Sequence, residues 1–393
     1  MGIADQDCNI DCRSVPRFVC ALHTDLRFGN FSLSTELARD VPQMALYLDT
    51  TIQSAKVSIL AAPRACIKSE AFDLGLLILP LATGLTAAAA VLSTPKLFAV
   101  LLLADLWLLG YHHVVATYTR LAFTADALRR NRFLAFDLLL LMTVVTLGLA
   151  FTAGAWVVAT AFLYLQWFHY MRQGYGLSRM YFRATPEGQV AGSRDIATDL
   201  VIYLVPIYAI AARSATMGQT FLDLPVKVLV LPSEAITALG FAAAVAGVMW
   251  AVRSTVAFTR GTLDPLYAGF VLSHIAIFLV AYVAIEDGNT GWLAINVWHN
   301  FQYVLVVWMM NTKKYANGID PAARFLSRIS QPGRLATYFV SCIAISTVVY
   351  LVLNSMVAAM GGGLAITVGI YMGINFHHYV VDALIWKRRR VAV

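Results

Sequence analysis

The sequence predicts an all-α, polytopic helical membrane protein, with about ten transmembrane helices around a buried histidine-rich metal site. Three observations carry that expectation. Of 393 residues, 59% are hydrophobic and 13% are charged, which lies outside the composition of ordinary soluble domains. The apolar residues gather into runs of about 20, the length a helix needs to cross the hydrocarbon layer. Seven of the eight histidines fall inside those runs, where an ionisable ring is costly unless it finds a partner.

Residues 1–68 are polar and mixed and lack the basic-then-apolar order of a cleavable signal peptide. They read as a cytoplasmic N-terminal tail with one surface helix near Thr35–Tyr47; residues 69–390 form the transmembrane domain. The five cysteines, Cys8, Cys12, Cys20, Cys66 and Cys342, are odd in number and contain no CxxC pair. They indicate neither a disulfide framework nor a zinc ribbon.

Ten apolar runs follow, at 72–93, 97–118, 133–153, 155–176, 196–213, 234–253, 266–285, 291–311, 336–358 and 364–386. The connections set their orientation. Arg120, Arg129, Arg130 and Arg132 follow the second run; Arg179, Arg183 and Arg194 the fourth; Lys313, Lys314, Arg324, Arg328 and Arg334 the eighth; and Lys387 to Arg390 the tenth. All four clusters fall on one side, opposite the acidic Glu286-Asp287 loop. By the positive-inside rule both termini are cytoplasmic, as in a bacterial inner membrane. The net charge of +7 is therefore spent on orientation, and nucleic acid is not expected as a partner.

Four stretches carry the chemistry: Tyr111-His112-His113, Trp167-Phe168-His169-Tyr170, Trp298-His299-Asn300 and Phe376-His377-His378-Tyr379. On this topology all four helices run inward. His112, His169 and His377 lie roughly 15 residues past their outer ends, hence at nearly one depth at about 1.5 Å per residue. His299 is shallower, and His274 lies about halfway along the oppositely directed seventh run. Neutral imidazole is a common ligand of iron, copper and zinc, so His112, His113, His169, His274, His299, His377 and His378 are candidate metal ligands. Asp382, one turn beyond His378, and Asp105, two turns before His112, share faces with those rings. Each can bind metal or accept the second imidazole N–H, although a helix-to-helix hydrogen bond also accounts for Asp105. Gln302 and Tyr303, one turn from His299, are candidate catalytic groups, and Gln166 and Gln173 flank His169.

The order of these motifs resembles the Brp/Blh family of membrane β-carotene-cleaving dioxygenases. YHHVVATYTR stands where that family has its first His motif, FHYMRQGYG its His-Phe-Gly motif, VWHNFQYVLVVW its segment ending in aromatic-Val-Trp, and HHYVVDALIW its late His followed by Ile-Asp. The resemblance implies an iron-dependent, O2-using helical enzyme. It also implies His113, His169, His299 and His378 as iron ligands, the member of each His-His pair being open.

The leading expectation is thus a non-haem iron enzyme, mono- or dinuclear, using O2 on a lipophilic substrate that enters from the lipid bilayer, with an electron donor if the reaction needs one. Copper or zinc is the less favoured metal. A haem-binding membrane cytochrome is the first alternative, because paired histidines on facing helices also make axial ligands. A transporter or proton relay built on His and Asp is the second.

Overall fold

The computed structural model describes residues 66–387. The surface helix expected at Thr35–Tyr47 and nearly all of the N-terminal tail lie outside the described residues. Ten long helices run through the described residues: α1 Glu70–Ser93, α2 Pro95–Leu121, α3 Ala125–Thr152, α4 Ala155–Ala184, α5 Ile196–Thr216, α6 Ser233–Thr259, α7 Pro265–Ala284, α8 Gly288–Lys314, α9 Leu335–Ala359 and α10 Leu364–Lys387. The strands described are two residues each, Thr220–Phe221 paired antiparallel with Leu224–Pro225, so the class is all-α.

Local chemistry starts the helices where the sequence offers acceptors. Ser69 Oγ accepts from the Phe72 amide at the head of α1, and Asp195, Asp264 and Asp287 do the same for Thr198, Tyr267 and Thr290 at the heads of α5, α7 and α8. Each carboxylate satisfies an amide that the first helical turn leaves free and favours the positive end of the helix dipole. Pro265 occupies the first position of α7, where its missing N–H costs nothing. The tight junction of α3 and α4 turns on Gly154 at φ +98°, a conformation that a Cβ disfavours.

Eight of the ten helices, all but α4 and α8, are long and apolar enough to cross a membrane. Their outward faces carry apolar side chains in the open, such as Phe241 and Val248 on α6 and Val340 and Leu351 on α9. A surface of that kind suits lipid, because the backbone polar groups are satisfied within each helix. α4 and α8 are as long, at 30 and 27 residues, but they carry the amides and imidazoles of the interior. α8 is the central helix: every residue from Thr290 to Thr312 except Phe301 is buried. It packs most closely on α1, where Gly84 lets the backbones touch; a Cβ there would stand 2.4 Å from the carbonyl oxygen of Ala294. α10 packs on α3 and α4, and α9 on α2.

Among the described residues, three π-helical turns interrupt the ladders, at Leu106–Gly110, Phe133–Asp137 and Val280–Ala284. The first lies directly before His112 and His113. One extra residue turns everything beyond it by about 100°, which moves His113, instead of His112, onto the face that carries Asp105. The sequence spacing, counted on a regular helix, had aligned Asp105 with His112.

Candidate metal centre

Four helices deliver one imidazole each to a single buried point: His113 from α2, His169 from α4, His299 from α8 and His378 from α10. Ring centroids of His113 and His378 are 4.2 Å apart, His169 and His299 4.8 Å, His169 and His378 5.0 Å, and His113 and His299 5.1 Å. All four rings are at most 6% exposed. Two trios offer ligand atoms that lie within 4.8 Å of one another: His113, His169 and His299, and His169, His378 and Asp382.

The donor set fits a cation. Nε2 of His113 and both ring nitrogens of His299 are buried with no hydrogen-bond partner among the described residues. Buried polar atoms are ordinarily paired, and each left unpaired costs about 1–3 kcal/mol. Each neutral ring has one lone pair to give, and one from each of His113, His169 and His299 within 4.8 Å of the others is what a bound metal ion would satisfy; histidine with one carboxylate is a donor set for iron, copper or zinc.

A hydrogen-bond chain fixes one of these rings. Tyr303 O–H donates to Asp382 Oδ1 at 2.6 Å, and the Tyr303 oxygen is 2.8 Å from Thr117 Oγ1, which is in turn 2.9 Å from His378 Nδ1. With the tyrosine proton given to the carboxylate, the threonine hydroxyl has two acceptors for its own proton, the tyrosine oxygen and the His113 carbonyl at 3.3 Å, and offers its oxygen to an Nδ1–H of His378. In that tautomer the Nε2 lone pair of His378 is directed into the cluster, 3.3 Å from His169 Nε2. Tyr379 stacks on His169 with centroids 4.6 Å apart, and Tyr170 lies 4.5 Å from the His299 ring.

Other predicted residues are placed elsewhere. His112 faces α9, edge-on to Phe339 at 4.8 Å, with Nδ1 near the Leu108 carbonyl at 3.3 Å. His377 Nε2–H donates to the Leu134 carbonyl at 2.6 Å, an α10 to α3 tie. His274 donates from Nε2 to Ile202 O at 3.1 Å and fills the space left by Gly174, whose Cβ would come within 2.3 Å of the ring. The seven expected histidines thus divide into four that meet, two that tie helices together, His274 and His377, and His112, which bonds within its own helix and packs on α9. Asp105 takes no place in either trio. It accepts from Asn296 Nδ2 at 2.5 Å and from Asn300 Nδ2 at 3.4 Å, the helix-to-helix alternative, while Asn296 Oδ1 accepts from Tyr170 and Gln166. Gln302 is buried one residue from Tyr303 and accepts from Gln173 Nε2 at 3.1 Å.

Sequence reasoning missed Thr117, Asn296 and Asn300. Thr117 had a signal, since it lies one turn beyond His113 on the same face. Asn296 and Asn300 flank His299 by one turn and one residue, and both reach Asp105, a contact between helices that no spacing within one helix reveals.

Two cavities reach the cluster. One of about 340 Å³ touches His113 and His299 and is walled by Tyr111, Phe162, Tyr350 and Met372. A larger one of about 1480 Å³ lies between α4 and α10 and reaches His169 and Asp382. No family model, curated protein or solved structure matches the chain. Fold and site are those of an all-α integral membrane protein with a histidine cluster able to hold a metal.

Proposed function

We propose that the chain is a membrane-embedded, histidine-ligated non-haem iron enzyme, an oxygenase or related oxidoreductase acting with O2 on a lipophilic substrate. One observation carries this reading: four buried imidazoles from four helices converge while ring nitrogens of His113 and His299 have no other partner among the described residues. Iron is favoured over copper and zinc by the carboxylate of Asp382 beside the rings and by the Brp/Blh motif resemblance, which implies the same four histidines as ligands. In this reading all ten helices cross a bacterial inner membrane, with both termini on the cytoplasmic side; the one-sided Lys and Arg clusters support that orientation.

His113, His169, His299 and His378 would hold the ion, and Asp382 stands close enough to join them or to steady His378 through Tyr303 and Thr117. Bound iron supplies the binding and activation of O2. The rest falls to the chain's own groups. The cavity against His113 and His299 offers an apolar segment the walls of Tyr111, Phe162, Tyr350 and Met372, and its amides, among them Asn300 and Asn375, offer polar groups beside them. Thr117 holds the proton on His378 Nδ1, and Asp382 holds the Tyr303 hydroxyl in a fixed orientation.

The packing of the rings favours an ion over the haem alternative. Imidazoles with centroids 4.2 to 5.1 Å apart and edge-on to each other leave no room for a macrocycle between them. Elemental analysis and an optical spectrum of the detergent-purified protein test the proposal. Iron near one or two equivalents per chain without a Soret band is the expected result. Zinc alone, or no metal, overturns the oxygenase reading, and a Soret band replaces it with a cytochrome.

A further inference from the structure

The larger cavity has two chemically distinct halves. Near the cluster, at His169 and Asp382, its walls are Leu165, Phe168, Phe376 and Val380. Toward the end of α4 and the loop that follows, the lining turns basic, with Arg179, Arg183 and Arg194, whereas Arg172, three residues beyond His169, lines the near half. Arg179 lies ten residues and Arg183 fourteen residues beyond His169 on one helix, so the basic end stands about 15 to 21 Å from the cluster at 1.5 Å per residue.

Positive charge at a helix end is common in membrane proteins, and orientation alone explains its presence. It does not explain how the nearby carboxylates are used. Glu187 is paired with Arg253 at 2.8 Å. Asp195 is engaged by Arg253, by Tyr267 O–H at 2.8 Å and by Thr198. Arg253 therefore takes up both acids of the loop, and the cavity's basic end faces a single local carboxylate, Asp199, which interacts with Arg179 and Arg194. Arg172 donates to the Tyr203 hydroxyl at 2.7 Å. Nη1 of Arg179 and Oγ of Ser193, both at this end, are buried with no partner among the described residues. A guanidinium fork and a hydroxyl so placed match the oxygens of a phosphate or carboxylate.

We infer that this cavity binds an amphiphile with an anionic, phosphate-type head: the head between Arg179, Arg183, Arg194 and Ser193, and the apolar tail along Phe168 and Phe376 toward His169. This rests on the proposed function and deepens it by giving the substrate a charged end about 15 Å from the reacting position. The apolar bilayer then supplies the tail, and the charged rim selects the head and sets the register of the chain against the cluster.

Calorimetric titration of the purified protein in an uncharged maltoside detergent tests it, with three probes: dodecyl phosphate, dodecanol and inorganic phosphate. Dodecyl phosphate is expected to bind at least about tenfold more tightly than either of the others, and Arg179→Gln and Arg194→Gln each to weaken it by about tenfold. Arg194 is exposed, so its variant folds even if the half-buried Arg179 proves necessary for assembly. Equal binding of dodecanol, or unchanged binding in both variants, overturns the inference. Inorganic phosphate binding as tightly as the long-chain ester overturns the amphiphile and leaves a free-anion site. Metal content read on the same samples separates the two proposals: the arginine variants keep their metal, whereas a wild-type protein without metal sinks the enzyme reading and leaves the titration standing on its own.

Discussion

Thr117 Oγ1 lies 2.9 Å from Nδ1 of His378, and with Tyr303 and the His113 carbonyl both in reach of its proton the hydroxyl is free to accept from the ring. An acceptor at that place favours the Nδ1–H tautomer of His378 from outside the cluster. Thr117→Val keeps the shape of the side chain and removes the acceptor. Metal affinity, measured by competition with a chelator, should fall by about 10- to 100-fold, while Thr117→Ser restores it. A valine variant with unchanged affinity would mean that His378 needs no such support.

Asp382 closes the same chain through the 2.6 Å bond from Tyr303. Asp382→Asn keeps the volume and a carbonyl acceptor but removes the charge, and a fall of about 10- to 100-fold in metal affinity is expected if the carboxylate acts on the ligands. Tyr303→Phe separates the routes. It cuts the link to Thr117 and leaves the carboxylate in place, so a loss confined to Asp382→Asn identifies the carboxylate as a direct ligand.

Much of the fold was legible because membrane helices announce themselves through apolar length, and each of the ten runs appears as a helix; seven match their expected ends within about three residues, while α3 starts eight residues earlier, α4 ends eight residues later and α6 ends six residues later than the apolar run does. Membrane crossing is less evenly legible: eight of the ten helices are long and apolar enough to cross, while α4 and α8 carry the polar groups that they turn inward. The site was legible in residue type. Adjacent histidines differ by about 100° in direction, however, and the π turn at Leu106–Gly110 decides which of His112 and His113 faces inward, which no regular helical count reveals. His377 and His378 pose the same choice, settled by the packing of α10 between α3 and α4. The basic end of the large cavity was read only as an orientation signal, since sequence alone does not show that Arg253 occupies Glu187 and Asp195.

The contact of α1 with α8 is set by Gly84, where a Cβ would stand 2.4 Å from Ala294 O. Backbone cannot yield as a flexible side chain does. Gly84→Val should therefore force the two helices apart and lower the thermal midpoint of the purified protein, at a cost of about 1–3 kcal/mol or more. Gly148→Val, with nothing within 4 Å of the added Cβ, is the control and should leave the midpoint nearly unchanged.

Histidines inside the cluster and outside it should respond differently to the same substitution. Replacing an imidazole by alanine makes a span more apolar, so insertion into the membrane is retained in every case. His169→Ala removes a ring present in both trios, and metal content should drop to background together with turnover. His112→Ala removes a ring that faces Phe339 and the Leu108 carbonyl; it should keep its metal and show only a modest loss of stability, because a buried side chain is shortened and a cavity remains. Metal analysis and a thermal melt on the two variants, normalised to inserted protein, read the contrast directly. Equal metal loss in both would place His112 among the ligands, against the geometry. Full metal retention in His169→Ala, with failure to assemble, would make the cluster a set of cross-braces between helices and defeat the metal centre.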